Sequence, residues 1–534
     1  MSLEKINWIV VTGGNLSGLG KGIVSASIAK LLEPNKVVNV KCDGYLNVDP
    51  GTINPYEHGE VFVLEDGGEV DMDFGHYERF TSKNSKFCHN ITSGKIFDRV
   101  IEKERKGDYL GKTVQIFPHI IDEIKVQFLE IAEKDNPDVM IIEIGGTIDD
   151  IEESWFIRAV RELDNDLKGK LIFCHLAYAP VIKAVGEQKT RLIQTSVESL
   201  QQKGIRPDII ICRAEQPMTC EAKGKIAKFC GIEPEAVISD PHLSTIYELP
   251  LIFEREGLRK LLEKKTGLKT NPDLESWQKF VDKIKKPKRE INVAVCGKYT
   301  GLADSYASII ESLTHAGAGF DAKVNIKFVE TTSINTQDDV REKLKDVHGV
   351  IIPGGFGKRG VEGKIQVARY ARENNIPYLG LCLGLQIAVI EFSRNVCKLE
   401  GANSTEFVEE GVLVNHPVID ILPEQKKVDK KGASMRLGSY TAYLKDGTNV
   451  RRLYGSPRVS ERHRHRYEVN PDYHKILLEN GLVFSGTSED GRLVEFIELP
   501  WHKYFVATQA HPEFKSRINH PAPLFKGFVE ACLK

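Results

Sequence analysis

Short apolar runs separated by turn residues recur along the chain and predict buried β-strands. They occupy residues 8–12, 139–144, 171–176, 209–212, 291–295, 349–352 and 377–381. The stretch 120–133 instead carries apolar residues three or four positions apart, as an amphipathic helix does. Near-continuous apolar strands that alternate with helices indicate parallel sheets covered on both faces. Near the end, residues 453–469 and 482–499 alternate apolar and polar positions, which predicts antiparallel strands at one sheet edge.

Two places along the chain have the strand–turn–helix pattern expected at the start of an α/β domain. Residues 8–12 and 291–295 are each followed by a glycine-containing turn and then by a helical stretch. Residues 264–289 between the halves are rich in lysine and predict a short helix framed by linker. A chain of 534 residues is long enough for two large α/β domains. We therefore expect an N-terminal domain over 1–266, a linker over 267–290 and a C-terminal domain over 291–534.

Composition excludes several classes of function. The net charge of −2 gives no basic footprint for nucleic acid. No apolar run reaches the length of a membrane span, and residues 1–8 do not resemble a secretory signal. The ten cysteines contain no C-x-x-C pair, which argues against a zinc site and a disulfide scaffold. We expect a cytoplasmic protein with reduced thiols.

Gly380-Leu-Cys382-Leu-Gly384 lies between an apolar strand and a predicted helix. It has the pattern of a nucleophile elbow with cysteine in place of serine. The glycines permit a sharp turn, and the turn places the thiol at a helix N-terminus, where the dipole favours an anionic nucleophile. A thiolate there can attack an amide carbonyl and release ammonia. A buried cysteine that serves only packing has the same local pattern.

Two further segments favour the catalytic interpretation. His511 precedes Glu513 by two residues, so the carboxylate can orient the imidazole as in a nucleophile–base–orienter triad. The turn at 353–357, Pro-Gly-Gly-Phe-Gly, can supply backbone N–H groups to an oxyanion, with the Leu383 N–H as a second donor. Together these three segments resemble the class I glutamine amidotransferases over residues 291–534.

The run Glu461-Arg-His-Arg-His-Arg466 has three interpretations. A nucleic-acid patch is not supported by the overall charge, and two histidines spaced i, i+2 lack a third metal ligand. An arginine that binds the α-carboxylate of glutamine is favoured, because guanidinium pairs with carboxylates bidentately.

Residues 14–22 form a glycine-rich loop that follows a strand and opens a helix. It is one residue longer than a usual P-loop, and Gly22 stands where Ser or Thr would hold Mg²⁺. Glycine N–H groups and Lys21 can still hold phosphates. The missing hydroxyl predicts that carboxylates hold the metal, with Asp71 and Asp73 on one strand face and Glu143 at a strand end as candidates.

Eight motifs in order across nearly the whole chain resemble the CTP synthase family. They are Val11-Thr-Gly-Gly, Ser17-Gly-Leu-Gly-Lys-Gly22, Asn47-Val-Asp-Pro-Gly-Thr52, Tyr56-Glu-His-Gly-Glu-Val-Phe62, Gly75-His-Tyr-Glu-Arg-Phe80, Glu143-Ile-Gly-Gly-Thr147, Gly186-Glu-Gln-Lys-Thr190 and Ala402-Asn-Ser-Thr-Glu-Phe407. The resemblance implies a P-loop amidoligase of the dethiobiotin-synthetase type, fused to a class I glutamine amidotransferase. It also implies conversion of UTP to CTP with ATP, Mg²⁺ and glutamine.

The resemblance assigns residues to each role. The implied catalytic triad is Cys382, His511 and Glu513. Glutamine contacts are implied for Gly355, Leu383, Gln386, Glu406 and Arg466. ATP contacts are implied for Gly18, Leu19, Gly20, Lys21, Gly22, Ile23, Lys41, Asp73, His242 and Leu243. UTP and inhibitory CTP contacts are implied for Ser17, Asp150, Ile151, Glu152, Lys189, Thr190, Arg191, Leu192, Ile193, Gln194 and Lys225. Mg²⁺ would be bound by Asp73 and Glu143, and an ammonia gate would be formed by Pro55, His58 and Val61. GTP activation and a homotetramer able to form filaments are implied as well.

Three alternatives stay open at this point. GMP synthetase also couples a glutaminase to an ATP-using domain, but it carries its glutaminase first and has a Ser-Gly-Gly-x-Asp-Ser loop that is absent here. Cobyric-acid-type amidoligases share the domain order without needing the 186–194 segment. A filament-forming scaffold without activity is opposed by the presence of Lys21, Glu143, Cys382 and His511.

Overall fold

The computed structural model describes residues 5–182, 187–408, 410–421 and 435–534. The chain divides into two compact units. The first contains Met1–Asp49 and His76–Val281, and the second contains Pro50–Gly75 and Asp282–Lys534. Gly186 of the seventh motif lies outside the described residues.

A parallel sheet forms the centre of the first unit. In its described part the sheet has seven strands, in the order Val237–Pro241, Ile209–Ala214, Leu171–Ala179, Asn7–Gly13, Val139–Ile144, Val37–Asp43 and Asn90–Thr92. Trp8 and Val10 contribute to the core on one face, and Ile9 and Val11 contribute to the core on the other. Alternate side chains of one strand are thus buried on both faces, which confirms the expected covered parallel sheet.

Helices cover this sheet. They are Lys21–Leu31, Ser93–Lys106, Ile121–Asp135, Ser154–Asp166, Arg191–Gln202, Cys220–Cys230, Leu249–Arg255 and Leu258–Thr266. Two more helices, Asp73–Thr81 and Leu274–Lys285, cross the boundaries between the units.

The second unit has a mixed sheet. Its described part has nine strands, in the order Ala322–Glu330, Arg289–Gly297, Gly349–Ile352, Tyr378–Leu381, Phe505–Thr508, Val494–Glu498, Val483–Thr487, Arg436–Leu444 and Arg458–His465. The first five are parallel, and the remaining pairings are antiparallel. The predicted antiparallel edge is therefore confirmed. The α-helices that lie wholly within the described part of this unit are Pro55–His58, Ala307–Gly319, Gln337–Lys343, Val361–Glu373, Leu383–Asn395, Asn449–Tyr454, His474–Glu479 and Pro523–Cys532.

The segment Pro50–Gly75 packs within this second unit although it lies far away in sequence. Glu60 accepts hydrogen bonds from the backbone N–H of Ser308, the closer at 2.9 Å, and so caps the helix Ala307–Gly319. The Phe62 ring meets the Phe514 ring edge-on at 5.0 Å between centroids. A charged cap and an aromatic contact thus hold an early segment against the late half of the chain.

One expectation from the sequence is wrong. Asp71 and Asp73 do not share a strand face, because the strand Glu69–Val70 ends before them. The Asp71 carboxylate accepts a hydrogen bond from the Asp73 N–H at 2.8 Å, and Asp73 begins the helix Asp73–Thr81. Aspartate side chains satisfy free N–H groups at a helix start, and this local bond replaces the strand pairing that alternation suggested.

Among the helices of the described ranges, none combines the length and apolar character needed to cross a membrane. The ten cysteines all lie in described ranges and all are free.

Candidate functional site

Cys382 lies between the strand Tyr378–Leu381 and the helix Leu383–Asn395, as the elbow pattern predicts. Its backbone has a φ of 53° and a ψ of −103°, a conformation that a residue with a side chain adopts only under strain. A Cβ on Gly384 would lie 2.2 Å from the Ile352 carbonyl oxygen, and one on Gly380 would lie 2.7 Å from Gly384 backbone. The flanking glycines are therefore required for the helix to pack this closely behind the thiol.

His511 and Glu513 are brought together beside this thiol. Nδ1 of His511 lies 2.6 Å from Oε1 of Glu513, and both side chains are buried. Burial alone would lower the pKa of His511, but the Glu513 carboxylate and the Cys382 sulfur outweigh it and raise the pKa to about 10. The Phe514 ring stacks on the imidazole at 5.1 Å and limits its rotation. The imidazole is thus oriented and favoured in its protonated form next to the nucleophile.

A cavity of about 340 Å³ in the second unit opens onto the Cys382–His511–Glu513 group. Its walls include the turn from Pro353 to Phe356, which contains the predicted oxyanion donors. Pro55 and Val61, two of the three predicted gate residues, line the same cavity. His58, the third, lies on the same segment with its Nε2 3.2 Å from a carboxylate oxygen of Asp71.

The predicted glutamine-binding residues lie around the elbow. Leu383 is the neighbour of Gly355, where a Cβ would lie 3.7 Å from Leu383 Cδ2. Gln386 is buried and donates to the Tyr467 carbonyl oxygen at 3.1 Å. Glu406 accepts a hydrogen bond from the Gly357 N–H at 2.6 Å, and burial raises the pKa of its carboxyl. Arg466 follows directly after the strand Arg458–His465.

Sequence reasoning overlooked Arg464, which lines the cavity. Its carbonyl oxygen lies 3.6 Å from the Cys382 sulfur, and its Nε donates to Glu69 at 2.7 Å. Gln509, also overlooked, places its Nε2 3.8 Å from the same sulfur. The alternation of arginine and histidine pointed to one carboxylate-binding arginine, and nothing local in the sequence distinguished Arg464 from Arg466.

The other members of the 461–466 run are engaged inside the unit. Arg462 is fully buried, donates to the Val63 carbonyl oxygen at 3.0 Å and lies over the Phe62 ring. His463 and His465 are hydrogen-bonded to each other at 3.0 Å, and burial together with Arg436 holds the pKa of each well below its usual range. This arrangement opposes both the nucleic-acid patch and the metal site.

In the first unit, the predicted phosphate-binding loop has two glycines with a left-handed backbone. Gly18 and Gly20 have φ of 71° and 94°, in the left-handed region that favours glycine. Gly20 is the N-cap of the helix Lys21–Leu31. Lys21 reaches back so that its Nζ donates to the Gly146 carbonyl oxygen at 2.5 Å. The loop therefore combines a helix N-terminus with a cation.

Glu143 lies at the carboxyl end of its strand, as expected, and is buried. Its carboxylate is shared between Lys41 Nζ at 3.0 Å and the Tyr77 hydroxyl at 2.6 Å. Asp73, the other predicted magnesium ligand, belongs to the second compact unit.

Glu153 is a third residue that sequence reasoning overlooked. Its Oε1 accepts from the Gly44 N–H at 3.0 Å, and its Oε2 is buried without a hydrogen-bond partner among the described residues. Burial raises the pKa of Glu153 to about 7 although Lys21 and Lys41 oppose the shift. A Cβ on Gly44 would lie 2.6 Å from Oε1, so the absence of a side chain there makes room for this carboxyl.

The predicted pyrimidine-binding residues all belong to the first unit but differ in exposure. Ser17 is exposed on the glycine-rich loop, and Lys189 pairs with Glu187 at 2.5 Å. Ile193 is fully buried against Val197 in the core. The remaining members are at least partly exposed, namely Asp150, Ile151, Glu152, Thr190, Arg191, Leu192, Gln194 and Lys225. Of the adenine-side residues, His242 is exposed, whereas Leu243 packs partly against the core.

Comparison with known proteins gives matches to both halves of the chain. Residues 7–268 match the family described as CTP synthase N-terminus, and residues 301–531 match glutamine amidotransferase class-I. The CTP synthase of Methanocaldococcus jannaschii is 52% identical over 540 residues, covering 99% of each chain. That of Borreliella burgdorferi is 50% identical over 536 residues, covering 99% of this chain and 100% of the relative. A solved Trypanosoma brucei CTPS glutaminase domain with bound acivicin is 38% identical, covers 46% of this chain and 94% of that one, and has a TM-score of 0.43.

Proposed function

Since the chain belongs to the CTP synthase family, whose enzymes aminate UTP to CTP with ATP and with nitrogen from glutamine, we propose how its residues divide that reaction. The second unit releases ammonia from glutamine, and the first unit activates and aminates UTP. The observation that carries the proposal is the strained Cys382 elbow beside the His511–Glu513 pair, 2.6 Å apart. A strained nucleophile next to an oriented imidazole is costly to maintain without a reaction that uses it.

Glutamine hydrolysis proceeds through the sulfur of Cys382. The imidazolium of His511, stabilised by Glu513, favours the thiolate, which attacks the amide carbon. Backbone N–H groups of the 353–357 turn and of Leu383 then stabilise the oxyanion. His511 gives its proton to the leaving nitrogen, so ammonia departs and a glutamyl thioester remains for water to cleave. Gln386, Glu406 and Arg466 hold the polar ends of glutamine.

In the first unit, ATP phosphorylates the 4-oxygen of UTP, and ammonia then displaces phosphate. Phosphoryl transfer depends mainly on positioning and charge. The loop from Gly18 to Ile23 binds the ATP phosphates, with Lys21 and Lys41 offsetting their charge. His242 and Leu243 lie at the adenine. Ser17, Lys189 and Lys225 with the 190–194 stretch hold UTP, and the segment 150–152 binds CTP as a feedback inhibitor.

Mg²⁺ fits the donor chemistry of this site. Glu143 is a buried carboxylate at a strand end, paired with Lys41 at 3.0 Å, and hard oxygen donors are what Mg²⁺ prefers. By the family resemblance, Asp73 would supply a second carboxylate. When bound, the ion neutralises charge on the transferred phosphoryl group. Lys41, whose Nζ lies 3.0 Å from the Glu143 carboxylate, would add its own positive charge beside the phosphates.

Ammonia leaves the glutaminase cavity past Pro55, His58 and Val61. An enclosed route protects it from protonation and from loss to solvent. Pro55 and Val61 line that cavity together with Cys382, which supports their role as a gate.

The remaining assignments concern organisation and regulation. We infer sequence domains over 1–266 and 291–534 joined by 267–290, GTP as an activator of glutamine hydrolysis, and a cytoplasmic homotetramer able to form filaments. Exposed apolar side chains at Leu110, Ile116 and Phe117 support a subunit interface, because isolated soluble chains seldom expose several large apolar residues close in sequence.

Incubation with UTP, ATP, Mg²⁺ and glutamine tests the proposal. CTP, ADP, phosphate and glutamate are expected in equal amounts, and GTP is expected to accelerate their formation. Glutamate without CTP would contradict the proposed coupling. Omission of Mg²⁺ by chelation should stop CTP formation, whereas alkylation of Cys382 in the apo protein should continue.

A further inference from the structure

His175 lies in the middle of a buried hydrogen-bonded chain that none of the proposed roles uses. It belongs to the strand Leu171–Ala179 and is completely buried. Its Nδ1 lies 2.8 Å from the Thr12 hydroxyl, and its Nε2 lies 2.7 Å from the Ser196 hydroxyl. Thr12 and Ser196 are buried as well. The imidazole thus connects two hydroxyl groups that are far apart in sequence.

The protonation state of this imidazole is fixed by its surroundings. Burial and the nearby Lys21 cation lower the pKa of His175 to about 4. A neutral imidazole has one N–H donor and one acceptor nitrogen, so one hydroxyl donates to the ring and the other accepts from it. Both ring nitrogens are satisfied only while both hydroxyls are in place. The loss of either hydroxyl leaves a buried polar atom without its partner, which is costly.

The two hydroxyl groups that contact His175 belong to different parts of the proposed nucleotide site. Thr12 is followed by Gly13 and then by the glycine-rich loop. Ser196 lies on the helix Arg191–Gln202, two residues after Gln194. The helix also approaches the loop directly, since a Cβ on Gly14 would lie 2.7 Å from the Ser196 hydroxyl oxygen. His175 therefore spans the loop assigned to ATP phosphates and the helix assigned to UTP.

We propose that neutral His175 is a positioning residue that fixes the phosphate loop relative to the pyrimidine helix, so that occupancy of one nucleotide site favours the other. This inference rests on the proposed function, because it uses the assignment of the two segments to ATP and UTP. His175 touches neither substrate. It acts through Thr12 on the ATP side and through Ser196 on the UTP side. A nucleotide bound at either side restrains the hydrogen bonds that both sides share.

The decisive experiment compares Thr12→Val and Ser196→Ala with ammonium as the nitrogen source, which bypasses glutamine hydrolysis. Both are conservative changes that remove one end of the chain. We expect each variant to weaken binding of the nucleotide on the opposite side of His175. Ser196→Ala should raise KM for ATP about fivefold, and Thr12→Val should raise KM for UTP about fivefold, because the loss of about one hydrogen bond on one side of the imidazole also affects the other side. In the double variant, the fold rise in KM for each nucleotide should be smaller than the product of the rises in the two single variants.

Other outcomes have distinct meanings. If each variant raises KM only for the nucleotide on its own side, or for neither nucleotide, the inference is wrong. A rise in KM in the double variant that equals the product of the two single rises also contradicts the inference. If the unmodified enzyme makes no CTP, the proposed function fails instead. His175→Phe provides a stronger change, with an expected rise in KM for both nucleotides and no change in KM for glutamine. Should it fail to fold, the two hydroxyl variants still decide the matter.

Discussion

Arg464 donates from its Nε to Oε1 of Glu69 at 2.7 Å, which ties the floor of the glutaminase cavity to a segment 395 residues earlier in the chain. The carbonyl oxygen of Arg464 lies 3.6 Å from the Cys382 sulfur, and its guanidinium lies over the Phe356 ring at 5.2 Å. The Glu69 side chain is only 1% exposed. This ion pair therefore helps to hold the wall beside the nucleophile.

Glu69→Gln keeps the shape of the side chain and removes its charge. It leaves the Arg464 guanidinium without its buried counter-charge, and such a loss is costly. Glutamine-dependent CTP formation should fall about tenfold, because a misplaced catalytic wall reduces the rate steeply. Ammonium-dependent formation should stay within about twofold of the unmodified enzyme, since Cys382 is not used.

Glu479→Gln is the matched control, because its partner Lys475 lies 3.9 Å away in an exposed pair. Exposed pairs contribute little, so no change is expected. Equal losses with both nitrogen sources in Glu69→Gln would show that the pair maintains the fold instead of the glutaminase wall.

Glu513→Gln tests the charge that holds His511 protonated. Without the carboxylate the pKa of His511 should fall from about 10, so the imidazolium is lost at a lower pH. Iodoacetamide alkylation of Cys382 at pH 8 should slow by about tenfold or more, and glutamine hydrolysis by about 100-fold. Peptide mass spectrometry resolves the cysteines, and exposed Cys88 and Cys220 serve as internal references that should not change. Unchanged alkylation of Cys382 would contradict the proposed pair.

Lys21→Ala should stop synthesis with either nitrogen source. Its Nζ lies 2.5 Å from the Gly146 carbonyl oxygen at the glycine-rich loop, and no other residue of that loop carries a cation. Removal of a preorganised charge from a phosphoryl-transfer site should lower kcat at least about 100-fold. Lys106→Ala, which breaks an exposed pair with Glu102, is the control. Retained ammonium-dependent turnover in Lys21→Ala would refute the phosphate-binding assignment.

Glu153→Gln has a pH-dependent effect on stability. The pKa of Glu153 is raised from 4.5 to about 7 in the folded state, so folding is favoured by the bound proton. That contribution is complete below pH 4.5 and is lost as the pH rises through 7. The unmodified enzyme should therefore lose about 3 kcal/mol of unfolding free energy relative to Glu153→Gln across this range.

Urea unfolding at pH 4.5 and 8.5 spans this range and measures the difference. The midpoint of Glu153→Gln should rise relative to the unmodified enzyme as the pH increases. Glu152→Gln changes an exposed neighbour and should follow the unmodified enzyme at both values. A constant offset for Glu153→Gln would mean that the carboxyl stays ionised throughout.

Local patterns predicted much of this molecule. Apolar periodicity located the parallel strands, and the spacing of Gly380, Cys382 and Gly384 predicted the strained elbow, because a sharp strand-to-helix turn has few sequence solutions. The prediction for Asp71 and Asp73 was wrong because the alternation of polar and apolar residues does not show that the Asp71 side chain bonds the N–H at the start of the following helix.

Contacts between distant segments left no periodic signal. Glu60 caps a helix 248 residues later, and His175 meets hydroxyls from two other elements. Glu153 lies next to three residues that the family resemblance singled out, but its burial depends on the missing side chain at Gly44. Contacts of this kind can be identified only in the folded structure, because the residues that make them are far apart in sequence.

The transfer of nitrogen from one half of the chain to the other is the central claim. It is tested most directly by supplying amide-¹⁵N glutamine together with unlabelled ammonium and measuring ¹⁵N in the 4-amino group of CTP. The unmodified enzyme should incorporate mainly ¹⁵N, whereas Cys382→Ala should make CTP with unlabelled nitrogen at a comparable ammonium-dependent rate. Loss of CTP formation from both sources in a folded Cys382→Ala, or ¹⁵N incorporation without Cys382, would contradict the account.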